Sequence, residues 1–130
     1  RKDELLMKQT IKDKAMSFLE LVASGKIREA YEKYASPDFR HHNLYFKGDA
    51  ESLISAMEES AAKNPDKVFE IKHTVTENDM VAVHSHVRQH PNDPGGVVVH
   101  LFRFSNELII ELWDVGQQIP ENSPNENGPF

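Results

Sequence analysis

The first half of the chain repeats apolar residues at spacings of three and four, the period that lines one face of an α-helix. This pattern predicts three helices. The first begins at Met7 and ends at Ser24-Gly25. The second is stopped by Ser36-Pro37, and the third lies between a capping Asp49 and Pro65. Their inward faces consist of Met7, Ile11, Ala15, Phe18 and Val22, then Ile27, Ala30, Tyr31 and Tyr34, then Leu53, Ile54, Met57 and Ala61.

After Pro65 the apolar period changes to two, the alternation of a half-buried β-strand. Four strands are predicted, over residues 68–75, 80–88, 97–104 and 108–116, with a shorter extended segment at 39–43 between the second and third helices. Short turns between successive strands favour antiparallel pairing. Helices followed by long antiparallel strands indicate an α+β layout, in which a strongly curved sheet covers the helices and encloses a cavity.

Composition limits the classes of partner and chemistry. A chain of 130 residues supports one core, so we expect a single domain over residues 1–119 and an extended, proline-rich tail over 120–130. The formal net charge of −6 argues against nucleic acid and anionic membranes as partners. The sequence has no cysteine, which excludes disulfides and thiolate catalysis. Residues 1–4 do not begin a signal peptide, so a cytoplasmic location is the default expectation.

Four segments carry a resemblance to a known family: 39–43, 81–86, 97–104 and 111–117. They resemble the SnoaL-like relatives of polyketide cyclases, within the nuclear transport factor 2-like superfamily, over nearly the whole chain. The resemblance implies a cone-shaped α+β fold of three N-terminal helices packed on a strongly curved, mainly antiparallel sheet that encloses a pocket. It also implies an intramolecular aldol ring closure that needs no metal and no cofactor.

The same resemblance implies that Asp114 on the last strand and His100 on the strand before it are the acid/base pair. A three-residue turn at 105–107 sets His100 opposite Leu112, which puts His100 and Asp114 on one face of the sheet; a two-residue turn would separate them. That register also places Phe102, Phe104, Leu108 and Ile110 on the shared face. Apolar surroundings raise the pKa of a carboxylate toward the range useful for proton transfer from carbon.

Other polar and aromatic residues are further candidates for the site. His42 is predicted to assist catalysis, and His84 and His86 to orient a ligand, although these two alternating residues suit the outer face of their strand equally well. Trp113 and Tyr45 either wall the pocket or fill the core. Gln117 is placed to hydrogen-bond a ligand from the strand end.

The remaining histidines are assigned no role. His73 lies on the apolar face of its strand and is interpreted as a core residue, and His41 and His90 as surface or loop residues.

Metal and cofactor sites have little support in the sequence. His84-x-His86 places two imidazoles on one side of a strand, but no downstream glutamate completes a ligand set. The chain has no Gly-x-Ser-x-Gly elbow, Walker loop or dinucleotide fingerprint. We therefore expect neither a metal nor a cofactor.

Two hypotheses of different class follow. The first is a cofactor-independent acid/base enzyme that acts on a small, largely apolar carbonyl compound, as an aldol-type cyclase, isomerase or hydratase. The second is a non-catalytic module of the same fold, which binds a small ligand or serves in dimerisation. In either case we expect a homodimer that associates through the outer face of the sheet.

Overall fold

The computed structural model of the chain describes residues 8–130. The predicted start of the first helix at Met7 and the interpretation of residues 1–4 lie outside the described residues. The helices are α1 (Ile11–Ala23), α2 (Ile27–Tyr34) and α3 (Ala50–Lys63). The strands are β1 (Ala35–His41), β2 (Val68–Glu77), β3 (Met80–Arg88), β4 (Gly96–Ser105) and β5 (Leu108–Gln118).

Side-chain caps fix the starts of α1 and α3. The cap of α3 at Asp49 is as predicted, whereas residues 8–10 are not helical and α1 begins only at Ile11. The hydroxyl of Thr10 accepts a hydrogen bond from the backbone N–H of Asp13, whose carboxylate accepts one from the N–H of Thr10 in return, and this capping box starts α1. Asp49 caps α3 by accepting a hydrogen bond from the Ser52 N–H at 2.9 Å. Gly25 follows α1 with a φ of 88°, a conformation that glycine adopts without strain.

The five strands form one curved, open sheet in the order β1-β5-β4-β3-β2. Strands β2 to β5 are antiparallel neighbours, whereas β1 runs parallel to β5. Three helices packed on this mixed sheet confirm the predicted α+β fold class. Strand β1 begins at Ala35, four residues before the predicted extended segment, because Pro37 lies at the edge of the sheet, where no ladder hydrogen bond is required of it.

The β4–β5 hairpin differs from the prediction in its turn and in its pairing. Ser105 pairs with Leu108, so the turn has two residues, Asn106 and Glu107, and both adopt positive φ. A bulge then inserts Ile110 into β5, between the pairs Phe104–Ile109 and Arg103–Glu111. The predicted three-residue turn is therefore wrong, and so is the inward placement of Leu108 and Ile110.

The bulge has a direct consequence for the candidate acid/base pair. An unbulged strand after a two-residue turn would place Asp114 and His100 on opposite faces of the sheet. Because the bulge adds one residue to β5, Asp114 points to the same face of the sheet as His100, and the two residues pair directly across the strands. The bulge, and not the turn length, brings the pair together.

The core lies between the inner face of the sheet and the three helices. Phe102 is fully buried and makes edge-to-face contact with Phe18 of α1, at 5.8 Å between ring centroids. Phe18 in turn contacts Tyr31 of α2 at 5.0 Å, and Tyr31 contacts Phe39 of β1 at 5.4 Å. These aromatic contacts hold helices α1 and α2 against the central strand β4 and the edge strand β1.

The tail after β5 crosses the outer face of the sheet. Phe130 packs against His84 and His86, at ring-centroid distances of 5.3 Å and 5.0 Å. The ammonium of Lys72 lies 5.2 Å from the centre of the same ring. Among residues 8–130, no helix has the length and apolar character needed to cross a membrane.

Candidate functional site

A cavity of about 250 Å³ lies between the helices and the inner face of the sheet. Its walls are mainly apolar, and Asp114, His100, Tyr31 and Lys67 are the polar side chains among them. The apolar walls are Phe18, Leu19, Val22, Ala23, Leu53, Met57, Phe69, Val87, Val98 and Leu112. A site of this kind suits a small, largely apolar molecule with a few polar atoms.

Asp114 is held from one side by Asn43, the second residue after β1. The amide nitrogen Nδ2 of Asn43 donates a hydrogen bond to Oδ2 of Asp114 at 3.0 Å. The amide oxygen of Asn43 accepts from the backbone N–H of Tyr45, also at 3.0 Å, which fixes the orientation of the amide. One carboxylate oxygen of Asp114 is thereby engaged, and Oδ1 carries no such bond within the described structure.

His100 stands opposite Asp114 as a neutral imidazole. Burial lowers its pKa to about 4, and the nearby negative charge of Asp114 only partly opposes this effect. Its Nδ1 atom is buried and has no hydrogen-bond partner among residues 8–130. A buried polar atom without a partner is costly in a folded protein, and a bound ligand with a complementary group would satisfy it.

Tyr31 brings a hydroxyl group to the same cavity. The residue is buried, and burial together with the charge of Asp114 raises the pKa of its phenol above the ordinary value. The hydroxyl therefore keeps its proton at neutral pH and can donate a hydrogen bond to a ligand oxygen. Asp114, neutral His100 and Tyr31 together provide one anionic acceptor and two neutral hydrogen-bonding groups.

The burial of His100 predicts a pH dependence of stability. Above pH about 6.5 the residue is neutral in both the folded and unfolded chain, so no stability is lost. Between pH 6.5 and the folded pKa of about 4, His100 is protonated in the unfolded chain and stays neutral in the folded protein. The unfolding free energy is thus expected to fall by up to ~1.4 kcal/mol per pH unit on acidification.

His100→Phe removes this titration while keeping a flat ring in place. In urea unfolding measured from pH 7 to pH 4, the wild type is expected to lose stability faster than the variant. Subtracting the two curves cancels the contributions of the other histidines. Parallel curves for the two proteins would show that His100 titrates normally in the fold.

The structure places His42 outside this cavity, on the outer face of the sheet. Its Nε2 lies 2.6 Å from Oε2 of Glu111, and its ring stacks on Trp113 at 4.9 Å. The bond to His42, followed by that to Arg40, lowers the pKa of the Glu111 carboxyl. The prediction of a catalytic position for His42 is therefore corrected. Side chains alternate between the two faces along β1, and since Phe39 points inward, His42 points outward.

His84 and His86 also lie on the outer face, since their neighbours Val83 and Ser85 point into the core. The alternative that the sequence left open, an outer-face position, is the one observed. His73 also lies on the outer face, because a bulge in β2 turns its side chain away from the core. Its Nδ1 lies 2.9 Å from Nδ1 of His84. The interpretation of His73 as a core residue was wrong for this reason.

The other predicted ligand-binding residues surround Asp114 from the outside. Trp113 and the highly exposed Tyr45 line a separate depression of about 540 Å³ that also includes His42 and the edge of Asp114. Gln117 is exposed near the end of β5, opposite Val97. None of these residues lines the inner cavity, because each projects from the opposite side of its strand or from the loop after β1.

His41 is buried, contrary to the expectation of a surface position. Its Nε2 lies 2.8 Å from the backbone oxygen of Lys47, and its Nδ1 accepts from the N–H of Asn43 at 3.1 Å. The residue ties down the loop that carries Asn43. It thus supports the position of Asp114 indirectly.

Sequence reasoning missed three residues of the site: Tyr31 and Lys67, which line the cavity, and Asn43, which holds Asp114. For Asn43 a signal existed, since residues 39, 41 and 43 share one face of an extended segment whose first member is apolar. Tyr31 had been assigned only to a helix face, and nothing local marks its hydroxyl as a ligand group. Within residues 8–130, no three histidine, aspartate or glutamate side chains are arranged to hold a metal ion.

Comparisons with known proteins agree with this architecture. The family model described as a SnoaL-like domain matches residues 15–112, so the match ends two residues before Asp114. Among curated proteins, none is significantly similar in sequence.

Solved structures share the fold at low sequence identity. IdmH from Streptomyces antibioticus is 18% identical, with a TM-score of 0.68 over 84% of this chain and 93% of that one. A SnoaL-like polyketide cyclase from Agrobacterium tumefaciens is 15% identical, with a TM-score of 0.68 over 85% and 93%. An NTF2-like protein of unknown function from Cytophaga hutchinsonii is 14% identical, with the same TM-score over 85% and 94%.

Proposed function

This chain belongs to the SnoaL-like domain family, and from its cavity we propose that it is a cofactor-independent acid/base enzyme acting on a small, largely apolar carbonyl compound. The observation that carries the proposal is the cross-strand pair of Asp114 and neutral His100 inside a mainly apolar cavity. An aldol-type cyclisation, an isomerisation or a hydration fits this pair. A polyketide cyclase among the structural neighbours supports the first of these.

The proposed first step is abstraction of a proton from the carbon next to a ligand carbonyl. The carboxylate of Asp114 takes the proton, and the C–H electron pair moves into an enolate whose negative charge develops on the carbonyl oxygen. His100 and Tyr31 line the same cavity and carry hydrogen-bond donors that would stabilise this oxygen. The apolar walls strengthen these interactions because they exclude water.

The enolate then has two balanced outcomes. In an aldol closure, its carbon attacks a second carbonyl of the same molecule, a carbon–carbon bond forms, and the new alkoxide receives the proton held by Asp114. In an isomerisation, the proton returns to a different carbon of the conjugated system. Neither route requires an oxidant or reductant.

Hydrogen–deuterium exchange tests the first step without knowledge of the natural substrate. 2-Tetralone is a compact, largely apolar ketone with exchangeable α-protons, and NMR in D₂O reports their loss. We expect the protein to accelerate exchange well above the buffer rate. If 2-tetralone binds, as its own resonances would show, but exchanges at the buffer rate, the non-catalytic binding module replaces the enzyme.

We propose further that two copies associate through the outer face of the sheet. Val115 is 66% exposed there, and half-buried Trp113 lies beside it on the same strand. Apolar side chains on an open sheet face favour a symmetric partner. Sedimentation at micromolar concentration is expected to give a dimer mass, and a monomer mass would contradict the proposal.

A further inference from the structure

Lys67, the residue just before β2, brings a positive charge to the apolar cavity. Its side chain is half-buried and contributes to the cavity wall together with Phe69 and Met57. Lysine is seldom buried in proteins unless a counter-charge accompanies it. The position of Lys67 therefore requires an explanation.

Eight other lysine and arginine side chains of residues 8–130 have carboxylate partners, and the four further lysines without one, Lys12, Lys26, Lys33 and Lys47, are exposed to solvent. Arg28 contacts Glu51 and Glu58 at 2.9 Å each, and Lys14 contacts Glu107 at 3.2 Å. Lys67 forms no salt bridge with any carboxylate of residues 8–130. Burial lowers the pKa of its ammonium, as expected for a cation removed from water without a partner.

Lys67 also marks the boundary between two spaces of different character. On one side lies the apolar cavity; on the other lies a crevice of about 380 Å³ between the ends of α1 and α3. Ser24, Ser60 and Asn64 give this crevice a polar wall. A molecule that spans the boundary would have an apolar body and a polar end, with the ammonium at the junction.

The negative charge of Asp114 determines the orientation of such a molecule in the cavity. Asp114 is on β5 and Lys67 precedes β2, and strands β4 and β3 separate these two strands in the sheet. An anionic group is repelled by the Asp114 carboxylate and attracted by Lys67. The opposite end of the molecule, which carries the reacting carbonyl, then lies beside Asp114 and His100.

We propose that Lys67 is a ligand-recognition residue that binds the carboxylate of an aromatic or alicyclic keto acid whose ring body fills the cavity. This inference rests on the proposed function, which it narrows from carbonyl compounds to carbonyl acids. The ligand supplies the counter-charge that residues 8–130 do not place beside Lys67. The acidic protein, with a formal net charge of −6, thereby admits an anion at one defined point.

The test compares two aromatic probes of nearly the same shape, 2-naphthoate and its neutral amide, 2-naphthamide. Isothermal titration calorimetry measures the dissociation constant of each for the wild type, Lys67→Met and Lys63→Met. Lys63 is a suitable control because its side chain is 71% exposed and pairs with Glu59 on the surface of α3. Methionine keeps the length of the lysine side chain and removes its charge.

We expect the wild type and Lys63→Met to prefer 2-naphthoate by about tenfold or more, the scale of one charge-assisted contact. Lys67→Met is expected to bind both probes equally, with its affinity for 2-naphthamide unchanged. A preference that survives in Lys67→Met overturns the inference, as does equal binding of both probes by the wild type. A variant that loses stability but keeps the preference would show that Lys67 only neutralises the carbonyl ends of α1 and α3.

A second measurement uses the wild type alone and does not depend on the folding of the variant. Because an anion beside Lys67 raises its pKa, binding of 2-naphthoate is expected to take up protons in solution alkaline enough to deprotonate part of the ammonium. Calorimetry in two buffers of different ionisation enthalpy detects this uptake, whereas 2-naphthamide should show none. Proton uptake that is the same for both probes overturns the inference.

These outcomes are separable from those of the exchange experiment. If 2-tetralone exchange is catalysed but Lys67 has no effect on probe preference, the enzyme stands and the keto acid class is wrong. If the preference depends on Lys67 but no exchange is catalysed, the anion site stands in a non-catalytic binding protein, and the reacting-carbonyl part of the inference is wrong.

Discussion

Asp114→Asn is expected to reduce the catalysed exchange of 2-tetralone by about 100-fold to 10,000-fold, the usual contribution of a positioned general base. Asparagine has the shape of aspartate and can still accept the hydrogen bond from Asn43, so the cavity keeps its geometry. It cannot take a proton from carbon. The measurement is the rate of deuterium incorporation by NMR, at equal protein concentration and pH.

Two controls make this result specific to Asp114. Asp38→Asn removes a carboxylate from the exposed part of β1 and should leave the exchange rate unchanged. Binding of 2-tetralone to Asp114→Asn should persist, since the apolar walls of the cavity are intact. A variant that binds the ketone and exchanges it at the wild-type rate would exclude Asp114 as the base.

Phe102→Ala is expected to lower the unfolding free energy by about 3–5 kcal/mol, the range for removing a fully buried phenylalanine. Phe102 is 0% exposed and packs between Phe18 of α1 and its own strand neighbours His100 and Phe104. Its removal leaves a void at the point where the helices meet the sheet. Urea unfolding followed by circular dichroism measures the loss.

The matched control for this prediction is an exposed apolar residue in the loop after β1. Leu44 is 96% exposed, and Leu44→Ala should change the unfolding free energy by less than about 0.5 kcal/mol. If Phe102→Ala costs no more than this surface change, then the ring does not hold the helices to the sheet.

The candidate site is built from two parts that depend on different features of the fold. The cross-strand pair depends on the β-bulge at Ile110, which sets the direction of every residue beyond it on β5. The fixed position of Asp114 depends on the loop after β1, where His41 anchors the backbone and Asn43 reaches the carboxylate. The bulge sets the face on which Asp114 lies, and the loop after β1 fixes the position of its carboxylate.

The sequence alone determined the order and type of nearly all the elements. Helix periodicity with Asp49 as a cap predicted α3, and alternation predicted β3 with its bounds unchanged. These features are local: caps, periods and turn residues act over a few positions of the chain. The resemblance named Asp114 and His100 as a pair, and the structure has them on one face, although the register used to place them there was wrong.

Only the tertiary structure decided which residues share the cavity. Bulges in β2 and β5 each insert one residue, so the side chains beyond them point to the opposite face of the sheet from the one that simple alternation predicts. His73 therefore points outward and Asp114 inward. His42 contacts Glu111 on the outer face of the sheet. Lys67, next to the edge strand β2, lines the cavity on the inner face. A single inserted residue changes the face of every side chain after it, and no local pattern in the sequence marks where that insertion falls.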